Sequence, residues 1–385
     1  MSNVLVLNCG SSSVKFALIN PLKNQTAFSG LAENISQKNC KVSFKANKKI
    51  EIAIENGKYE DVFSQIKAYM QDNGYLSTVS AVGHRVVHGG QYFDSSVLIT
   101  ENVIEKIKKC ITLAPLHNPA NVDGIEYCER IFPKLPQVAV FDTAFHQTIE
   151  KYVAEYAIPR ELTDKYHIRK YGFHGTSHNY VSKQAAKLLN KERGNFIVAH
   201  LGNGCSLSAI VDGKSVDTSM GFTPLDGLIM GTRSGSIDAG IFSFLAKNLG
   251  WNVEKISSVL NKESGLLGIC GHNDMREIRE LAAKGHTDAS LAIKMFSQRV
   301  AKFVASYMIY FDTLDALVFT GGIGENANTI RKNIVDKLSN IGFEIDSAKN
   351  DAKDQIYINS DRSHKIMVVP TNEELMIAKD TLQLV

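Results

Sequence analysis

No apolar run in the 385-residue sequence approaches the ~18 residues a transmembrane helix needs, so no transmembrane helix is expected. The opening run Val4-Leu5-Val6-Leu7 stops at Asn8, too short for the core of a signal peptide. Charge of one sign is also missing. Lys+Arg 43 against Asp+Glu 40 leave a net +3, too small an excess for a nucleic-acid or membrane-surface partner. The six cysteines (Cys9, Cys40, Cys110, Cys128, Cys205, Cys270) form no CxxC pair. Zinc ribbons and disulfide scaffolds are therefore excluded, and reduced thiols in the cytoplasm are expected. HExxH is absent as well. His84 and His88 are spaced i,i+4, but AVGHRVVHGG alternates like a strand, where that spacing separates side chains. His174 and His178 repeat the spacing, and no histidine-bound zinc is expected at either pair. The helix-terminus phosphate motif GxxxxGK[ST] is missing too: Gly213-Lys214-Ser215 has Ser208 where glycine is required, and VDGKSV reads as a hairpin.

What is present is an ordinary globular composition, 44% hydrophobic and 22% charged, at a length that predicts two or three domains. VLVLNCGSSSVKFALIN reads as strand, Gly/Ser turn, strand. Short strands follow in KVSFKA and IEIAIENG, where Lys38, Lys41, Lys45, Lys48 and Lys49 read as a lysine-guarded sheet edge. The spacing of Val62, Ile66 and Tyr69 predicts a helix over Tyr59–Asp72, followed by the strand VSAVGHRVVHGG. Mid-chain, NFIVAHLGNGCSLSAIVDGKSVDTS repeats the opening design. A helix is predicted over 290–308 with Leu291, Met295, Val300, Phe303 and Val304 apolar, then the strand ALVF and the turn TGGIGEN. A helix from Thr329 then places Ile330, Ile334, Val335 and Leu338 on one face. Strands mixed with helices in two matching halves imply an α/β protein of two related domains with a cleft between them. Eight prolines and no low-complexity linker suggest closely packed halves joined near residues 145–170.

Several short motifs carry chemistry. NCGSSSVK gathers three hydroxyls, Ser11, Ser12 and Ser13, with exposed amides in one turn and Lys15 on the outgoing strand. Such a turn makes an anion-sized nest, although a plain hairpin is an equally good reading of the motif alone. HLGNG (200–204) and GGIGEN (321–326) are two more glycine turns after apolar strands, where glycine lets backbone approach a phosphate closely. Arg85 and Arg233 sit in apolar strand-and-turn segments, suited to clamping phosphoryl oxygens, although most arginines are solvated surface groups. His174 precedes a helix predicted over 180–190 with Thr176 or Ser177 as its cap. Asp142 ends an apolar strand, a frequent place for functional carboxylates in α/β proteins. Glu373 and Glu374 equally well charge the first turn of a final helix. GIGENA (322–327) matches GxGxxA, with Glu344 at a suitable distance for a ribose contact. Too little chain follows to complete a doubly wound dinucleotide domain, and that reading leaves NCGSSSVK and HLGNG unexplained.

Read together, VLNCGSSSVKF, VGHRVVHGG, APLHNPAN, VFDTAFH, YGFHGTSH, HLGNGCS, MGTRSG, FTGGIGEN and PTNEEL resemble the acetate kinase family, in that order and from end to end. The resemblance implies a duplicated actin-like (ribonuclease H-like) α/β fold with the active site in the interdomain cleft. The domains expected are 1–146, completed by a C-terminal helix 375–385, and 147–374. It further implies reversible transfer of the ATP γ-phosphate to acetate with Mg²⁺, or Mn²⁺ in its place, giving acetyl phosphate and ADP. By motif, Asn8 and Glu373 correspond to the metal site, and Ser11–Ser13 to a phosphate loop. Lys15, His200, Leu201, Gly202, Asn203, Gly204, Asp274, Met275, Arg276, Gly322, Ile323, Gly324, Glu325 and Asn326 correspond to the nucleotide site. Arg85 corresponds to the substrate clamp, Asp142 to the essential acid, and His174 and Arg233 to transition-state stabilisers. Val87, Leu116, Phe173 and Pro224 correspond to the pocket for the acyl methyl. A cytoplasmic homodimer with neither nucleic-acid nor membrane partners is expected. The alternatives are a propionate or other short-chain fatty acid kinase of the same family, and an actin- or chaperone-like ATP-binding switch.

The chemistry suits these residues. Phosphoryl transfer needs positioning and charge neutralisation, and acetate is already ionised, since carboxyl pKa values lie at about 4–5. No base is needed to deprotonate the acceptor, so Asp142 is expected to orient or to support the metal. Val87 is a β-branched filler where a smaller residue would admit a longer acyl chain, which favours acetate. One departure stands out: the family run GTRSGDIDP is GTRSGSIDAG here, with Ser236 and Ala239 replacing the acid and the proline. A lost carboxylate there would loosen the support of Arg233, and Asp238 remains nearby as a candidate substitute.

Overall fold

A computed structural model describes residues 2–46 and 48–385. The chain forms two compact units, Met1–Phe145 with Asn372–Val385, and His146–Thr371. The first is built on an eight-stranded sheet: β1 (Asn3–Gly10), β2 (Ser13–Asn20), β3 (Gln25–Glu33), β4 (Lys41–Lys45), β5 (Lys49–Ala53), β6 (Val79–Val86), β7 (Val97–Leu98) and β8 (Gln137–Phe141), in the order β5-β4-β3-β2-β1-β6-β8-β7. The second carries five strands: β9 (Phe196–Leu201), β10 (Cys205–Val211), β11 (Lys214–Thr218), β12 (Ala316–Thr320) and β13 (Ile366–Val368), ordered β11-β10-β9-β12-β13.

The two sheets share one plan. In the first, β1 pairs antiparallel with β2 and β2 with β3, while β6 joins β1 in parallel and β8 joins β6 in parallel. In the second, β9 and β10, then β10 and β11, are antiparallel, while β12 joins β9 and β13 joins β12 in parallel. Five strands in the same order and sense, twice in one chain, are the duplicated actin-like architecture.

Packing follows from composition. The buried run Val4–Leu7 fills β1, and Phe16, Phe28 and Phe44 meet the helix Tyr59–Asp72 through its Val62, Phe63, Ile66 and Tyr69. Parallel strands covered on both faces read as unbroken apolar runs, as β8 and β12 do. The lysine-bearing strand β5 lies at the sheet edge, where charge blocks further pairing. The final helix, Glu373–Leu384, packs on β1, β2, β6 and β8. Gly83 permits that approach: a methyl there would meet Ile377 Cγ2 at 2.9 Å.

Three local expectations need correction. The long helix spans Thr287–Tyr307, and its buried stripe runs through Ala289, Ala292, Phe296, Val300 and Val304, leaving Leu291 and Met295 exposed. Small alanines set the packed face there, which a search for large apolar side chains misses. TGGIGEN is not a free turn, because a short helix, Gly321–Asn326, starts directly after β12. The helix following His174 is Gly175–Leu188, so Thr176 and Ser177 lie in its first turn and His174 itself occupies the cap position.

Candidate active site

In the first unit, β6 and β8 place the charged residues. Arg85 is the penultimate residue of β6, and Asp142 directly follows β8. Arg85 Nε donates to Asp142 Oδ1 at 3.0 Å and Nη2 to Oδ2 at 2.5 Å, a two-bond fork. Arg85 Nη1 also donates to Asn8 Oδ1 at 3.2 Å, which brings in the end of β1. Burial works against charge on Arg85, but Asp142, then Glu373, outweigh it and raise the guanidinium above its ordinary range. Burial pushes the Asp142 carboxyl up, against the pull of Arg85. Lys15 forms an ion pair with Glu374, whose carboxyl falls below its ordinary value because that partner outweighs burial. Ser11 and Ser12 are exposed at the tip of the β1–β2 hairpin, and Ser13 opens β2.

Val87 follows β6, 8% exposed, with its N–H donating to Asn121 Oδ1 at 3.0 Å. Leu116 is 61% exposed and offers an apolar surface, without an enclosed position inside this unit. It lies in the turn before the helix Asn118–Ile131, which accounts for its exposure.

In the second unit, His174 has φ 57° and ψ 22°. A non-glycine residue in this left-handed region carries strain of about 1–3 kcal/mol, which concentrates at functional positions. Its Nδ1 lies 2.9 Å from Ser206 Oγ, and its ring stacks on His200 with centroids 4.5 Å apart. A Cβ on Gly204 would sit 3.4 Å from His174 Nε2, so that nitrogen faces the glycine turn. His200 Nδ1 meets Ser177 Oγ at 2.8 Å, and Phe173, 2% exposed, gives its carbonyl to His146 Nε2 at 3.0 Å.

Arg233 is placed differently from Arg85. Nη1 donates to the Pro224 carbonyl at 3.3 Å and contacts Met230 Sδ at 3.9 Å. Among the described residues no carboxylate pairs with it, and burial lowers its pKa. Asp238 does not support it: Asp238 Oδ1 accepts from Gly240 N at 2.7 Å. Nor does position 236, where the Ser236 hydroxyl donates to Asp226 Oδ1 at 2.6 Å and accepts from Gly227 N at 2.9 Å.

A cavity of about 710 Å³ opens within this unit, lined by Gly202, Asn203, Asp274, Met275, Arg276, Gly322, Ile323 and Asn326 together with Asn273, Arg279 and Ala327. Its size suits a nucleoside ligand. Asp274 caps the helix Met275–Ala283 and holds Arg276 through Nε and Nη2, a pairing that lowers the Asp274 carboxyl to about 2. Five expected residues stand behind this wall. His200 and Leu201 are buried in β9, and Gly204 turns into β10 beside His174. Gly324 and Glu325 give their carbonyls to Arg331 Nη1 at 2.9 and 2.8 Å. Glu325 Oε1 accepts from Gly321 N at 2.9 Å and Thr371 N at 3.2 Å, so its carboxylate braces the turn. Gly321, at φ 76°, passes so close to β9 that a Cβ would meet the Leu201 carbonyl at 2.8 Å.

A sequence model of the Acetokinase family matches residues 3–379. The chain belongs to this family. An acetate kinase of Francisella tularensis subsp. holarctica (strain OSU18) is 67% identical, with 100% of each chain covered. Among solved structures, a propionate kinase from Francisella tularensis subsp. tularensis SCHU S4 is 66% identical with TM-score 0.98 and full coverage of both chains. Porphyromonas gingivalis acetate kinase is 41% identical with TM-score 0.94, also covering both chains fully.

The arrangement also includes groups that motif reading did not assign. Arg279, bonded to Asn328 Oδ1 at 3.0 Å, lines the cavity, and Arg331 braces the GGIGEN turn. Ser206 lies between two histidines. Only the i,i+4 spacing of His174 and His178 hinted at that last arrangement.

Proposed function

We propose that the chain is an acetate kinase, transferring the ATP γ-phosphate to acetate by direct in-line displacement, reversibly. Both oxygens of Asp142 are engaged by Arg85, and this observation carries the reading. A carboxylate held by two charge-assisted bonds is not poised as a general base. A hydroxyl acceptor requires such a base, whereas a carboxylate acceptor does not. An acetate oxygen attacks the γ-phosphorus, its bond to the bridging oxygen breaks, and that electron pair leaves on ADP. Arg85 holds the acceptor carboxylate, and Asp142 orients Arg85. His174 and Arg233 neutralise the charge spread over the phosphoryl oxygens. We assign the acyl methyl to Val87, Leu116, Phe173 and Pro224, the nucleoside to the cavity of the second unit, and the nucleotide phosphates to Lys15 and Ser11–Ser13.

Asn8 offers an amide oxygen, and Glu373 acts electrostatically on both Arg85 and Asp142. A small set of hard oxygen donors suits Mg²⁺, which keeps waters and shares substrate phosphates, with Mn²⁺ a related choice. Asn8 and Glu373 would hold that ion, which when bound neutralises the nucleotide phosphates.

A homodimer is supported by the helix Gly240–Leu249, which has no buried residue and exposes Ile241, Phe244 (62%) and Leu249 beside Val253 (68%). Six free, buried cysteines support a reducing, cytoplasmic setting. Among the described residues no helix is long and apolar enough to cross a membrane. We assign the two units to the two actin-like domains.

A hydroxamate assay for acetyl phosphate with ATP, Mg²⁺ and acetate tests the reading. Nucleotide binding without acetate-dependent ADP release would replace it with an ATP-binding switch. The name of the Francisella structure favours one second reading, a propionate kinase, which the same assay with propionate distinguishes.

A further inference from the structure

His178 lies one helical turn beyond His174 and is fully buried. Its Nε2 is 2.7 Å from Ser206 Oγ, the same hydroxyl that stands 2.9 Å from His174 Nδ1. Its Nδ1 has no hydrogen-bond partner. A serine hydroxyl carries one proton and two lone pairs. The two rings are the only partners of the buried Ser206 Oγ among the described residues, so its proton is used only if it donates to one ring and accepts from the other. Which ring receives the proton follows from His178. Burial, then His146 and His200, hold its pKa well below the ordinary range, so it carries one N–H. Placed on Nδ1, that N–H would be a buried donor without an acceptor, an arrangement native interiors avoid. Placed on Nε2, it donates to Ser206. The Ser206 proton then goes to His174 Nδ1, and the His174 proton is left on Nε2, the nitrogen facing the Gly204 turn.

We infer that Ser206 and His178 are positioning residues that lock His174 in its Nε2–H tautomer, so that this ring can only donate toward the phosphoryl group. The inference rests on the proposed function for the direction in which that donor works. The opposite tautomer would present a lone pair to an anionic oxygen and repel it. His146 shows the same device in simpler form. A carbonyl only accepts, so His146 Nε2–H donates to Phe173 O, and Nδ1 accepts from Ser215 Oγ at 2.8 Å. Ser206 lies opposite His200 in the β9–β10 ladder, so the ring stacked on His174 and the hydroxyl that orients it share one register.

Two-bond ¹H–¹⁵N correlation of ¹⁵N-histidine-labelled protein, assigned with His174→Gln and His178→Gln, reads the tautomers directly. The expected result is both rings protonated on Nε2. A proton on Nδ1 of either ring in the unaltered protein overturns the inference. Ser206→Ala should lower kcat about 10- to 100-fold with both KM values within about 2-fold, as loss of an orienting partner does. It should also give the His174 signal mixed-tautomer character. His178→Gln, which keeps a donor at the Nε2 position, should retain kcat within about 3-fold, while His178→Leu should match Ser206→Ala. Equal losses in His178→Gln and His178→Leu would reduce His178 to packing and overturn the relay. If the unaltered protein makes no acetyl phosphate yet shows both tautomers as stated, the functional reading falls and the relay stands.

Discussion

Arg85 and Arg233 are both half-buried guanidinium groups beside apolar residues, yet their surroundings differ in kind. Arg85 is neutralised before any ligand arrives, forked onto Asp142 and tied to Asn8. Arg233 meets a carbonyl and a thioether, and burial works against its charge. A paired arginine costs little to keep in place and acts by geometry. An unneutralised one carries an electrostatic deficit that an arriving anion can relieve. The first suits a substrate that is anionic throughout, the second a charge distribution that peaks in the transition state.

That contrast can be broken experimentally. The largest effect is expected for Arg233→Ala: kcat falls about 10³-fold or more with acetate KM little changed, because the lost interaction belongs to the transition state. Steady-state kinetics in both directions check this, and a rise confined to KM would erase the distinction. Asp142→Asn should come next. It leaves the half-buried Arg85 without its counter-charge, and kcat/KM for acetate should drop about 10²-fold with a raised KM. Substrate-saturation curves decide between this and a pure kcat loss. Val87→Ala sharpens the acceptor side: the propionate-to-acetate ratio of kcat/KM should rise about 10-fold, the worth of one methylene in an apolar pocket. An unchanged ratio would remove Val87 from the pocket.

The smallest effect is expected where the family run is altered. Ser236→Asp would set a carboxylate against Asp226, to which Ser236 now donates. It should lower Tm by about 2 °C and leave kcat unraised, read by calorimetry and initial rates. A marked gain in kcat would mean that position 236 does reach Arg233.

Much of this frame was readable in the residues. The helix Tyr59–Asp72 and the hairpins around NCGSSS and HLGNG follow from periodicity and turn chemistry, because those signals are local. Asp142 at a strand end and Arg85 one residue before another strand's end were visible as types in context. Their fork was not, since register between β6 and β8 is set across 57 positions of chain. The alanine stripe of the helix Thr287–Tyr307 was illegible because size, not hydropathy, selects the packed face. Glu325 matched the nucleotide motif, yet its carboxylate braces the strand-to-helix junction, a role that depends on Thr371 far along the chain. Ser206 carried no signal of its own, since a serine in a buried strand acquires meaning only from the two rings that reach it.

The helix Glu373–Leu384 belongs to the unit built from the first 145 residues, and it covers β1, β2, β6 and β8. During vectorial synthesis, therefore, the portion made first is finished last. Its apolar strands stay uncapped until residues 373–384 have been made, while the intervening portion has all its residues in hand earlier. Loss of that helix would thus strip the cover from β1, β2, β6 and β8, in a unit whose strands are made before residues 146–371.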